Sequence, residues 1–218
     1  MAAGSTSRAT QLEVDTPHGP AIAHLHPAER PRAAMVLGHG AGGGVSSKDL
    51  VTATDVARSE GVSVALVEQP YRVAGRRSPA AAPRLDAAWT AVVEHLRAGE
   101  LGGVPIVVGG RSLGARVACR TARATGAVAV LCLAFPLQPP PRSGKPASPS
   151  RLGELDEVKV PMLVVQGERD RFGIPPGTAR RTVVEVPGDH SLRTDLDAVA
   201  DAVGAWLPRV IGRAVVTS

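Results

Sequence analysis

Gly110-Arg-Ser112-Leu-Gly114 sets a serine between glycines, just after an apolar run (Ile106–Val108) and just before a helix-forming stretch. A serine at the apex of a tight strand-to-helix turn exposes its hydroxyl, and its neighbours must be small because backbone crowds there. Gly109, Gly110, Gly114 and Ala115 meet that demand. Such a hydroxyl can attack an acyl carbon, with the N-terminus of the following helix stabilising the oxyanion. Alone, the motif fits equally a serine that caps a helix after a glycine turn. Nucleophilic use also requires a base and an acid that orients it, each after a later strand. Asp170 ends Gln166-Gly-Glu-Arg-Asp170, after the apolar run Met162–Val165. His190 follows Pro187-Gly-Asp, after Val183–Val186. In that arrangement His190 takes the Ser112 proton and Asp170 holds the imidazole tautomer. Glu168 and Asp189 are rival acids; the Gly-x-x-Asp turn favours Asp170 by carrying it past the strand tip.

Gly38-His-Gly-Ala-Gly-Gly-Gly44 supports two readings. Its Gly38-x-Gly40-x-x-Gly43 spacing matches a dinucleotide fingerprint, with Glu68 near the position of a ribose-binding acid. Its His39-Gly40-Ala41-Gly42 core matches the loop that supplies an oxyanion N–H in acyl transfer. The first reading leaves Ser112, Asp170 and His190 without a role, and the next helix begins several residues too late for it. The second gives a candidate oxyanion pair, Ala41 N–H and Leu113 N–H, with His39 bracing the loop. No cofactor is expected.

The elements that must position these residues alternate along the chain. Leu12–Val14 and Ala21–Leu25 flank a turn and read as a hairpin. Ala33–Leu37, Val62–Val67, Ile106–Val108, Val128–Leu133, Pro161–Val165 and Val183–Val186 read as buried strands. Helices are expected from Ser47 to Glu60, Arg84 to Ala98, Leu113 to Ala124, near Gly177–Arg181, and from Thr194 through Val210, with Pro208 kinking or ending the last. Gln69–Pro83 and Pro136–Pro149 read as loops. This predicts an α/β fold: a mostly parallel, twisted sheet with helices on both faces and an antiparallel N-terminal hairpin at its edge. Residues 1–10 are expected to be flexible and 11–212 to form one domain, with a short Pro-rich cap loop at 136–150. Chemistry in such sheets sits at the carboxyl ends of the strands, where all the candidates fall.

Composition narrows the function classes. With 218 residues, 44 % of them hydrophobic, the chain can bury a substantial core. The net charge of +5 does not read as a nucleic-acid footprint: the arginines are scattered among acids, and aromatics for base stacking make up 2 %. The longest apolar run, Ala127–Phe135, is too short to cross a membrane. The first residues lack the apolar stretch of a secretory signal, and Cys119 and Cys132 read as buried free thiols, so a cytoplasmic location is expected. His24 and His26 share a strand face without a third ligand and read as surface residues, not a metal site.

Four motifs carry a resemblance to a known family: Pro70-Tyr-Arg-x-Ala-Gly-Arg-Arg77-x-Pro79, Gly109-Gly-Arg-Ser-Leu-Gly-Ala-Arg116, Phe135-Pro-Leu-x-Pro-Pro and Val165-Gln-Gly-x-Arg-Asp170. With His-Gly-x-Gly ahead of them and a histidine after them, they resemble the α/β-hydrolase superfamily. Within it they resemble the KANL/Tex group of hydrolase-like domains, a relative of the dienelactone-hydrolase-like proteins. The resemblance covers most of residues 33–210 and implies the α/β-hydrolase fold with a Ser112–Asp170–His190 triad. Dienelactone hydrolases typically use a cysteine nucleophile where this chain has Ser112. Gly42, Tyr71, Arg72, Arg76 and Phe135 are candidate substrate-binding residues, the arginines for a carboxylate or phosphate. The reading favoured by their place in a long loop is that Arg72, Arg76 and Arg77 pin it to carbonyls and to acids such as Asp86. The expected activity is hydrolysis of a small ester, thioester or related acyl substrate. The alternative is a hydrolase-like scaffold that binds a ligand or partner with little catalysis.

Overall fold

Every residue of β3 (Ala33–Gly38) is buried, as a strand covered on both faces requires. In the computed structural model, which describes residues 10–141, 146 and 148–216, the chain reaches β3 through a hairpin, β1 (Thr10–Val14) and β2 (Ala21–His26). It continues through α1 (Lys48–Ser59), β4 (Val62–Glu68), α2 (Pro70–Val73) and α3 (Ala82–Ala98). The second half runs β5 (Ile106–Arg111), α4 (Leu113–Thr121), β6 (Ala129–Leu133), α5 (Leu152–Asp156), β7 (Met162–Gly167), β8 (Arg181–Val186) and α6 (Leu196–Val216).

The strands form an eight-stranded sheet in the order β1-β2-β4-β3-β5-β6-β7-β8. The hairpin is antiparallel and β2 joins β4 antiparallel, with Leu25 opposite Ala65. All later pairings are parallel, so β3 through β7 point their carboxyl ends the same way. The period-two alternation of strands then divides the core. Ala34 and Val36 pack with Trp89, Val93 and Leu96 of α3 and Val117 of α4. Met35 and Leu37 face the opposite layer, with Leu50 of α1 and Val199, Val203 and Leu207 of α6. Each buried Val, Leu or Met among these contributes roughly 1.5–3 kcal/mol by leaving water.

Several boundaries differ from the sequence reading. The expected loop after Gln69 contains α2, because Pro70 sits at its first position, where a missing N–H costs nothing. Pro83 is likewise within the first turn of α3, which begins at Ala82. α5 lies in a stretch with no expected element, and α4 ends at Thr121. No helix forms at 177–181: the Thr178 hydroxyl accepts from the N–H groups of Arg180 and Arg181, and that turn feeds straight into β8. α6 runs through Pro208 to Val216, because its apolar stripe continues with buried Val210 and Ile211 and packing outweighs one lost hydrogen bond. Residues 1–9 of the expected flexible start lie outside the described residues, as do 142–145 and 147 of the expected cap loop; Thr10 already pairs with Leu25. No helix among the described residues is long and apolar enough to cross a membrane.

Candidate active site

The turn between β5 and α4 is built by the absence of side chains. A Cβ on Gly114 or Gly110 would collide with the Gly38 carbonyl, and one on Gly109 with the Leu131 carbonyl. Only glycine lets β3, β5 and β6 close to this distance beneath the turn. Ser112 then adopts φ 52° and ψ −104°, outside the regions open to most L-residues. That backbone costs about 1–3 kcal/mol and is held by the pairing of Ser112 N–H with the Leu133 carbonyl at 2.9 Å. The side chain stands just before the N-terminus of α4.

The histidine and the acid come from the neighbouring strand ends. Ser112 Oγ lies 2.9 Å from His190 Nε2, and His190 Nδ1 lies 2.8 Å from Asp170 Oδ2. With the carboxylate facing Nδ1, that nitrogen carries the proton and Nε2 is left as the acceptor. Asp170 is buried, and the rivals are elsewhere. Glu168 is exposed, while Asp189 is exposed and accepts from Ser191 N–H and Oγ, which hold its carboxyl below the usual range. Gln166 Nε2 donates to Asp170 Oδ2 at 2.7 Å, and Phe172 N–H donates to Oδ1 at 2.9 Å. Gln166 is itself clamped by the Phe135 N–H and carbonyl. The Phe172 ring packs 4.4 Å from the His190 ring, centroid to centroid.

The glycine loop after β3 closes over the same serine. A Cβ on Gly40 would come within 3.6 Å of Ser112 Cβ. His39 Nδ1–H donates to the Gly40 carbonyl at 2.8 Å, and Gln69 N–H donates to His39 Nε2 at 3.2 Å. Burial lowers the His39 pKa, keeping the ring neutral and able to both donate and accept. Tyr71 Oη donates to the Ala41 carbonyl at 3.2 Å, and burial pushes its phenol up to about 12, so it stays protonated. Among the described residues, neither Ala41 N–H nor Leu113 N–H finds an acceptor.

Sequence reasoning missed Arg111, Asp49, Gln166 and Phe172. Arg111 Nε sits 2.9 Å from the Asp49 carboxylate, which is only 1 % exposed, and Arg111 Nη2 donates to the His190 carbonyl at 3.0 Å. One guanidinium thus ties the serine turn to α1 and to the histidine loop. The available signals were a charge inside a glycine turn and a polar Gln166 ending an otherwise apolar strand.

Of the candidate substrate-binding residues, Gly42 is exposed, with no atom within 4 Å of a Cβ placed there. The Phe135 side chain is fully buried in the core, because the β6–β7 layer needs its bulk; its backbone, not its ring, reaches toward the site. Arg72 makes no ion pair among the described residues, and Arg76 lines a cavity whose walls do not include Ser112. Asp86 does not pin the 72–77 loop: both of its oxygens accept from Arg120, at 2.8 and 2.6 Å. Glu68 pairs with His24 at 3.0 Å, and α1 starts at Lys48, well past Gly43. Cys119 and Cys132 are buried with their sulfurs 3.5 Å apart. The described residues hold no group of three or more His, Cys, Asp or Glu able to bind a metal.

A family model described as an alpha/beta hydrolase domain matches residues 31–198. The chain belongs to the α/β-hydrolase family. Its sheet and helices follow that fold, and the described part of the β6–β7 connection adds only α5. A serine hydrolase without a lid from Xanthomonas campestris is 20 % identical and superposes with a TM-score of 0.73 over 93 % of this chain and 95 % of that one. Ferulic acid-bound Est1E from Butyrivibrio proteoclasticus is 15 % identical, with a TM-score of 0.74 over 92 % and 99 %. Dienelactone hydrolase from Anabaena variabilis is also 15 % identical, with a TM-score of 0.73 over 94 % and 98 %. No curated protein matches the sequence.

Proposed function

We propose that this α/β hydrolase is a serine hydrolase acting on a small ester, thioester or related acyl substrate through an acyl-enzyme on Ser112. The observation that carries the reading is the continuous Ser112–His190–Asp170 relay, with distances of 2.9 and 2.8 Å, on a strained turn. Ser112 Oγ attacks the acyl carbon while His190 Nε2 takes its proton. The tetrahedral oxyanion falls between Ala41 N–H and Leu113 N–H, whose lack of other acceptors leaves both free for it. His190 returns the proton to the departing alcohol or thiol. Water, deprotonated by His190, then cleaves the acyl-enzyme and releases the acid. Asp170 holds the tautomer throughout and stabilises the imidazolium.

The described part of the β6–β7 connection adds only the five-residue α5, and the chain has two phenylalanines and one tyrosine. Both favour compact acyl groups over long lipid chains. The two free thiols favour a reducing cytoplasm as the setting. A fluorophosphonate probe and short p-nitrophenyl esters and thioesters test the proposal. Labelling and turnover are expected in the wild type, and Ser112→Ala should abolish both. Labelling that survives Ser112→Ala, or none in the folded wild type, overturns it.

A further inference from the structure

A cavity of about 370 Å³ lies on the far side of the residues that brace the glycine loop. It is bordered by the turn that joins β1 to β2, by α2, and by the first turns of α3. Its volume is that of a small-molecule site, and neither Ser112, His190, Asp170 nor Ala41 borders it.

The lining is chemically one-sided. Val73, Leu85 and Ala88 supply an apolar interior. His18, Arg76 and Arg84 stand at the exposed edge, and no Asp or Glu contributes to the walls. Neither arginine has an ion-pair partner among the described residues, so both are free for an external anion. Gln69 closes the inner wall: it is 6 % exposed, and its Nε2 donates to the Leu85 carbonyl at 3.3 Å.

We propose that this cavity is a ligand site, separate from the Ser112 centre, for a compact carboxylic acid with an apolar body. The carboxylate meets Arg76 and Arg84, and the body lies over Leu85 and Ala88. Tyr71 also borders the cavity while its hydroxyl holds the Ala41 carbonyl, so an occupant rests against the group that positions the glycine loop.

The test is calorimetric titration with benzoate, with benzamide as the partner lacking the charge. Saturable binding of benzoate is expected, with benzamide binding at least severalfold more weakly. Ser112→Ala should bind as the wild type does. Arg76→Gln/Arg84→Gln should bind about tenfold more weakly, because two exposed charge-assisted contacts are lost. Ala74→Trp, which narrows the mouth from an exposed position, should weaken binding likewise. Absence of saturation up to about 20 mM overturns the proposal. So does an arginine variant that melts and binds like the wild type, or loss of binding in Ser112→Ala, which would place the ligand at the serine. None of these readouts depends on hydrolysis.

Discussion

Ser112 and Asp170 leave the same edge of one sheet, two strands apart, yet they are held in opposite ways. The serine turn is held by what is missing: Gly109, Gly110 and Gly114 let the β3 and β6 backbones press against it, while Ser112's main chain is fixed by its N–H on the Leu133 carbonyl and by its own carbonyl accepting from Arg116 N–H. The acid arm is held by what is present. Gln166, Phe172 N–H and His190 saturate the Asp170 carboxylate, and Arg111 pins the His190 carbonyl from across the site. Steric placement tolerates no added atom and is insensitive to pH. Polar placement tolerates a change of shape but not the loss of a donor. Ser112 sits on an abnormal backbone that side chains beneath it would not permit, whereas Asp170 needs only a fixed side chain.

The comparison can be broken most sharply at its polar end. Asp170→Asn keeps the shape of the arm but removes the charge and favours the wrong imidazole tautomer. With Ser112 as nucleophile, kcat on a p-nitrophenyl ester should fall by about 10⁴, with the melting temperature little changed. At the steric end, Gly114→Ala drives a methyl group into the Gly38 carbonyl. Chemical denaturation should show a loss of about 3 kcal/mol or more, with activity falling because the turn itself is displaced. Gln166→Leu sharpens the contrast: it fills the same space but strips a donor from Asp170 and a partner from the Phe135 N–H. A loss of about 2 kcal/mol and a drop in kcat are expected. Should Gln166→Leu prove harmless while Gly114→Ala does not, the acid arm too would be held by packing.

The smallest effect concerns pH. His39 is neutral in the folded chain because burial lowers its pKa from 6.5, so below pH 6.5 the unfolded chain binds more protons than the folded one. Stability should therefore decline as pH falls through 6.5. The urea midpoint of His39→Gln should decline less over the same range. His26, also lowered by burial, contributes a residual slope of the same sign to both proteins.

Much of this was legible in the sequence. The strand runs at 33–37, 62–67 and 106–108 survive with extensions of one to three residues at their ends, because two-sided burial demands unbroken apolar runs. The Ser–Asp–His order could be read because each residue follows a strand end, and a parallel sheet gathers those ends on one edge. α2, α5 and the uninterrupted α6 were not legible, since a four-residue helix has no periodicity and packing, not propensity, carries α6 past Pro208.

By itself the sequence determined the alternation of strands and helices, the glycines beneath the serine turn, and the candidates for nucleophile, base and acid. These follow from local rules: side-chain period, steric room at a glycine, and chain order. Tertiary structure alone decided that Asp170, not Glu168 or Asp189, meets His190, that Phe135 turns into the core, and that Arg111 reaches Asp49 and the His190 carbonyl. It alone placed Arg76 at a cavity whose walls do not include Ser112. A charged side chain several bonds long takes whichever partner the packed layers bring within about 3 Å, and that choice exists only once the layers are packed.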